Sequence, residues 1–206
     1  MSRWASLSRI NQIYGSVERR NDYFAREERE RREAEAMQTA AQVARQLREE
    51  AAAAGEVVPP PAREFFLGGR ACFTLSIPAD FAAEHKTPKQ YVYRISKVEA
   101  NPKYPEAYFV SMLVGANNET DFQYIGQLDS STGEVRTTHK SKVPADSMAM
   151  KLLNRALANV WRETPEKIQA AGFELLHSGK CGKCGRVLTD RDSIAAGLGP
   201  TCRGKE

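Results

Sequence analysis

Cysteine is scarce in this chain, four residues in 206, and three of the four fall at positions 181, 184 and 202. Histidine is scarcer still, with three. No apolar run approaches the roughly 18 residues that a membrane span requires. The start, MSRWASLSRINQIYGSVERR, lacks the apolar core of a secretory signal. Arg3 and Arg9 precede its first acid, Glu18, which leaves a transit peptide conceivable; the plainer reading is a short surface helix. The expected setting is the cytoplasm, where thiols stay reduced and clustered cysteines point to metal before disulfide. A formal net charge of +4 is far from a polycationic tail and selects no partner. No Walker lysine follows the two glycines of FLGGRA, so a phosphate loop is not supported. The H-x-E and P-C-x-x-C pair of the zinc deaminases is missing as well.

Glycine and proline are also absent from residues 17–54, a stretch dense in Glu, Arg and Ala, which predicts one long helix. Arg26 with Glu30, Glu27 with Arg31, Glu28 with Arg32 and Arg29 with Glu33 are opposite charges four apart, spaced to pair along an exposed helix. Through position 58 the basic and acidic residues balance at ten each, so this is no basic DNA-binding arm. Ala36, Ala40, Val43 and Leu47 step by four, three and four, a weak heptad seam. A solvated single helix and a helix that self-associates or binds a partner through 17–54 are both compatible with that pattern. Three consecutive prolines then end the helix.

The next hundred residues read as strands. ACFTLSI alternates, with Phe73, Leu75 and Ile77 on one face and Cys72, Thr74 and Ser76 on the other. QYVYRISKV, AYFVSMLV and FQYIGQL are β-branched and aromatic-rich, and turn formers separate them. DSSTGEVRTT closes a fourth connection into a short strand. PADSMAMKLLNRALANVWRE carries an apolar helical stripe of Ala149, Leu153, Ala156 and Val160, with Asp146 as the expected N-cap. A further short helix is expected over 165–171, and FELLH as a strand leading into the cysteines. The predicted fold class is α+β: an N-terminal charged helix, an antiparallel β-meander packed on a helix, and a small C-terminal zinc ribbon or knuckle. The segments are a helical arm (1–58), a Pro-rich linker (59–63), an α+β body (64–172) and the ribbon (173–206).

Cys181-Gly-Lys-Cys184-Gly-Arg has the spacing of a zinc knuckle, in which a tight turn lets two thiolates face one tetrahedral ion. Gly182 and Gly185 suit that turn. Cys202, after seventeen intervening residues, supplies a third ligand, and His177 is the best fourth. His139, His85 and Cys72 are spare candidates. Arg186-Val187-Leu188 is expected to pair with the FELLH strand, Thr189 to cap a short helix over SIAAG, Gly197 to end it, and Gly199-Pro200 to return Cys202 to the metal. A thioredoxin-type redox site would need a βαβ unit that the pattern does not offer. The expected cofactor is one structural zinc.

HSGKCGKCGRVLTDRDSIAAGLGPTC resembles the short C-terminal zinc-binding motif of a family of uncharacterised phage and bacterial proteins. The matching positions are His177, Gly179, Cys181, Cys184, Gly185, Arg186, Leu188, Thr189, Ser193, Ile194, Gly197, Gly199, Pro200 and Cys202. FLGGRACFTL, YVYRI, FVSMLVGANNETDFQYIG and HKSK are similar to the body that accompanies it, so the resemblance covers 66–203. It implies a zinc-binding domain, often on mobile elements, and no reaction.

Three functional classes follow. From His177 onward, six basic residues stand against three acids. A zinc with three thiolates carries about one negative charge, leaving an excess of about two positive charges. Lys183, Arg186, Arg191 and Arg203 are the contact candidates for a nucleic acid. Tyr91, Tyr93, Arg94, Tyr108, Phe122 and Tyr124 form either a base-stacking platform or ordinary sheet packing. Docking on a host protein is the alternative. Catalysis would require an open metal position, with Glu174 nearby as base; the expected reading is non-catalytic.

Overall fold

The computed structural model describes residues 17–53, 61–117, 120–162, 167 and 170–204. The short helix expected at the start and most of that expected over 165–171 lie outside the described residues. The chain is an α+β protein: a long N-terminal helix, an antiparallel sheet and a C-terminal cysteine cluster.

Six strands make one antiparallel sheet in the order β5-β4-β3-β2-β1-β6. They are β1 (Arg70–Ser76), β2 (Gln90–Val98), β3 (Ala107–Leu113), β4 (Phe122–Leu128), β5 (Val135–Arg136) and β6 (Glu174–His177). Alternation in β1 falls as the sequence predicts, with Phe73 and Leu75 buried and Cys72, Thr74 and Ser76 half-buried on the opposite face. A bulge between Val110 and Ser111 lets Ser111 face Tyr124 and leaves Ile125 as the extra residue, fully buried. The last strand returns to the first: Phe73 pairs with His177 and Leu75 with Leu175. The 173–206 segment thus contributes a strand to the body's sheet.

One face of the sheet is covered by α4 (Met148–Trp161), preceded in the chain by α1 (Val17–Ala53), α2 (Arg63–Leu67) and α3 (Ala79–Glu84). Ser147, not Asp146, is the N-cap of α4; its side chain accepts the Met150 N–H at 3.4 Å. Ala149, Leu153, Ala156 and Val160 are buried, as their spacing requires. The Tyr93 hydroxyl donates to Ala149 O at 2.9 Å, and burial pushes that phenol's pKa up. Asn154 accepts the Val135 N–H at 2.7 Å and donates to Val135 O at 3.1 Å, which fastens β5 to the helix.

The short α2 begins where the linker reading ends. Phe65 and Phe66 are both fully buried. Phe66 meets Phe73 edge-on at 5.0 Å, while Phe65 turns toward His177 at 5.8 Å. Sequence reading gave α2 no helix, because five residues carry no periodicity.

In α1 the expected pairs Arg26–Glu30 (2.7 Å) and Arg32–Glu28 (2.8 Å) form. Arg31 turns instead to Glu28 at 2.5 Å, and Glu33 leaves the helix to meet Lys180 at 2.8 Å. The apolar seam is covered from within the chain. Ala40 is 1% exposed, and Val43, Ala44 and Leu47 pack on the core beside α5 (Arg191–Ala196). Arg191 pairs with Glu50 at the far end of the same contact. A Cβ placed on Gly179 would lie 3.4 Å from that of Ala40, so the approach is close. Ala40→Glu would bury a charge with no partner. It is expected to detach α1 while the sheet persists, seen as trypsin cleavage at Arg45 at protease doses that leave the wild-type chain intact.

Candidate metal centre

β6 runs directly into the cysteine segment. Lys180 bridges to Val187, and the Leu188 N–H donates to Gly179 O at 2.9 Å, so a small hairpin carries the knuckle at its tip. This differs from the expected pairing of Arg186-Val187-Leu188 with FELLH: β6 is taken by β1, and the hairpin closes on 179–180 instead. Within the turn, Cys181 N–H donates to Arg186 O (2.8 Å) and Gly185 N–H to Cys181 O (2.9 Å). Gly185 has φ +77°, a conformation that favours glycine. Gly182 serves a different purpose from the expected one. A Cβ there would meet Phe65 O at 2.5 Å and Phe65 Cδ2 at 2.6 Å, so its bare backbone is what allows the knuckle to lie on α2. Gly182 O in turn accepts the Arg70 N–H at 2.7 Å, joining the knuckle to the start of β1.

The return path is two short helices. Asp190, one residue after the expected Thr189, caps α5 by accepting the Ser193 N–H at 2.8 Å, and Gly197 ends the helix at φ +70°. Gly199 and Pro200 then start α6 (Pro200–Arg203), which carries Cys202. Sγ atoms of Cys181, Cys184 and Cys202 all lie within 4.8 Å of one another. Tetrahedral thiolates about 2.3 Å from a zinc ion stand about 3.8 Å apart, a small closure from this arrangement. All four cysteines are free thiols.

Electrostatics at the cluster favours a cation. Burial acts to raise the Cys181 thiol, but the N–H groups of Cys184, Gly199 and Lys183 outweigh it and bring the pKa down to about 7. Cys202 is pushed up to about 11, by burial first and then by Cys184 and Cys181 beside it. One sulfur is thus poised as a thiolate, and its neighbour keeps a proton that a metal would displace. Soft thiolate donors at this spacing suit zinc.

His177 is not brought to the cluster. Its Nδ1 accepts the Gly179 N–H at 3.0 Å and its Nε2–H donates to Ile194 O. The physical reason is strand alternation: Phe173, Leu175 and His177 share the core-facing side of β6. That alternation was present in the sequence and would have turned the ring inward. The other candidates are elsewhere: the His85 ring lies tilted against Phe81 at 4.1 Å, His139 is exposed, and Cys72 is half-buried on β1. Glu174 is exposed near the other end of β6, opposite Ser76, and does not approach the sulfurs as a base.

A cleft of about 780 Å³ opens beside Cys202, with Glu64, Leu67, Lys97, Lys183 and Arg203 among its walls. Lys183 and Arg186 are exposed on the knuckle. Arg191 is engaged by Glu50, and Arg203 reaches Ser193 Oγ at 3.4 Å. The six platform candidates divide. Tyr93 and Tyr108 face the core, Tyr91 packs on it, and Arg94, Phe122 and Tyr124 lie on the opposite face. Phe109, which the sequence reading passed over, joins the second group.

Residues 173–206 match a family of unknown function, DUF6011. No curated protein and no solved structure matches the chain. Among the described residues, no helix is long and apolar enough to cross a membrane.

Proposed function

We propose that this chain is a non-catalytic zinc-binding protein that acts in nucleic-acid transactions in the cytoplasm, with Cys181, Cys184 and Cys202 as the protein ligands of one structural zinc. The observation that carries the metal reading is the convergence of three thiols, one of which, Cys181, is already met by N–H groups. Bound zinc would supply folding energy to a module too small for its own core. The exposed cations Lys183 and Arg186, with Arg203 at the cleft, support phosphate contact. A phage or mobile-element origin belongs to the same proposal and rests on the resemblance of the C-terminal motif.

Elemental analysis tests the centre. One zinc per chain is expected in the purified protein, and the same stoichiometry in His177→Ala, whose ring is held by Gly179 and Ile194. Zinc lost from His177→Ala would make the imidazole a ligand. No zinc in wild-type protein would end the reading. Docking on a host protein is the second reading, favoured by Phe24, 45% exposed on α1 and meeting Tyr23 edge-on. Phosphate binding weakens steeply with salt, whereas an apolar interface barely responds.

A further inference from the structure

The sheet face opposite α4 carries a second set of groups that the metal centre does not use. A row of paired residues crosses four strands: Cys72, Arg94, Ser111 and Tyr124. All four are half-buried, as are Phe109 and Phe122 on the same face. The Arg94 guanidinium carbon lies 3.9 Å from the centroid of the Phe122 ring, and the Phe109 and Tyr124 rings are 6.0 Å apart. Thr74, Ser96 and Ser111 share the face, together with Val92, which pairs with Thr74, and Leu113, which pairs with Phe122. Three aromatic rings and a guanidinium plane are thus presented on one face, with serine and threonine hydroxyls and two aliphatic side chains among them.

The rims of this face are cationic. Along β4, the Tyr124 backbone accepts the Lys142 N–H at 3.0 Å and its hydroxyl meets the Thr138 hydroxyl at 3.3 Å. The segment bearing His139, Lys140 and Lys142, all exposed, therefore borders the Tyr124 ring. At the opposite side, Arg70 begins β1. Its guanidinium nitrogen is 3.5 Å from where a Gly185 Cβ would stand, next to exposed Arg186 of the knuckle. The nearby acids are engaged or peripheral: Asp129 and Glu134 pair with Arg136 beside β4. Asp121 accepts the Asn117 N–H at 2.9 Å and the Thr120 hydroxyl at 3.1 Å within its own turn, and Glu174 sits opposite Ser76 at the far corner.

We propose that the outer face of β1–β4 binds a short stretch of single-stranded nucleic acid. Its bases stack on Phe122, Tyr124 and Phe109, and its phosphates follow Lys140 and Lys142 at one rim and Arg70 and Arg186 at the other. Four strands at about 4.8 Å spacing give a width of about 14 Å, room for two or three splayed bases. Stacking needs π-faces and tolerates any base, and the cations match the phosphate charge. Duplex is disfavoured, because paired bases are stacked on one another and offer no free face to the rings. This inference rests on the nucleic-acid reading above, and extends the contact from the knuckle to the sheet.

The test uses the full zinc-loaded chain and a fluorescein-labelled oligothymidylate of fifteen nucleotides, with anisotropy read at low and moderate salt. The wild-type protein is expected to bind the single strand at least tenfold more tightly than a fifteen-base-pair duplex. Phe122→Leu and Tyr124→Leu keep apolar bulk and remove the ring. Each is expected to weaken binding about tenfold, with unchanged zinc content and melting temperature. If either variant melts early, Lys140→Gln with Lys142→Gln, both exposed, carries the test: the slope of log affinity against log salt should fall by about 1.4, as expected for two single-strand phosphate contacts. Binding that survives all four substitutions but is lost in Lys183→Gln with Arg186→Gln overturns the sheet site and leaves the knuckle reading standing. Equal affinity for duplex overturns the sheet site as well. No binding to either probe removes both.

Discussion

Cys181→Ser is expected to yield a protein with no bound zinc and a C-terminal module that no longer folds, while the sheet and α4 persist. Of the three sulfurs, Cys181 is the only fully buried one and the one that backbone N–H groups stabilise as a thiolate. A serine oxygen keeps the hydrogen bonds but is a poor zinc ligand, and two remaining thiols hold zinc weakly. Structural zinc supplies on the order of 10 kcal/mol to zinc-finger peptides, so its loss outweighs any other single change here. Hydrogen exchange should show protection gone from 179–203 and retained in β2–β4. The same donors set the pH response. Cys181 is already ionised above about 7, while Cys202 stays protonated to about 11 without metal. Zinc uptake between those values therefore releases the Cys202 proton, and affinity should rise by about tenfold per pH unit for each proton released. A flat profile, or full zinc occupancy in Cys181→Ser, would refute the assignment.

Phe65→Ala is expected to cost about 3–5 kcal/mol, the range for a buried phenylalanine, and to lower zinc affinity although the residue touches no ligand. Phe65 is fully buried, meets Phe66 at 5.2 Å and His177 at 5.8 Å, and carries the backbone of Gly182 on its ring. Gly197, which ends α5, lies on the same ring: a Cβ there would be 2.7 Å from Phe65 Cδ2. Removing the ring takes away the surface on which both arms of the metal module rest. The readouts are chemical denaturation and competition with a chelator. Phe66→Ala serves as the comparison, since it faces Phe73 and Trp161 and should lower stability with zinc affinity intact.

Much of the layout was legible in the sequence because simple periodicities carried it. Phe73 and Leu75 alternate, Leu153 and Ala156 keep helical spacing, and the cysteines stand at knuckle spacing. What was not legible depended on long-range pairing. His177 reads as a ligand by its distance from Cys181 along the chain, but β1 fixes β6 and turns the ring to the core. Ala36, Ala40, Val43 and Leu47 form a seam whose partner no local pattern names, and that partner is the chain's own C-terminal segment. Gly182 signals a tight turn in one dimension; in three it is a place where two backbones meet.

The contact between α1 and the metal module joins residues far apart in the chain, such as Glu33 and Lys180, or Glu50 and Arg191. During synthesis the helix leaves the ribosome well before the residues that cover it. Strands β1 to β5 can pair with neighbours already made, but β6 and the knuckle are produced only after α4. Vectorial folding therefore waits on the metal module: Ala40, Val43 and Leu47 stay uncovered until 179–203 has emerged, and zinc capture and helix docking come after the pairing of β1 to β5. A nascent chain truncated before Cys202 would carry a folded sheet and an uncovered helix, the form a cell's quality control would see if translation ended early.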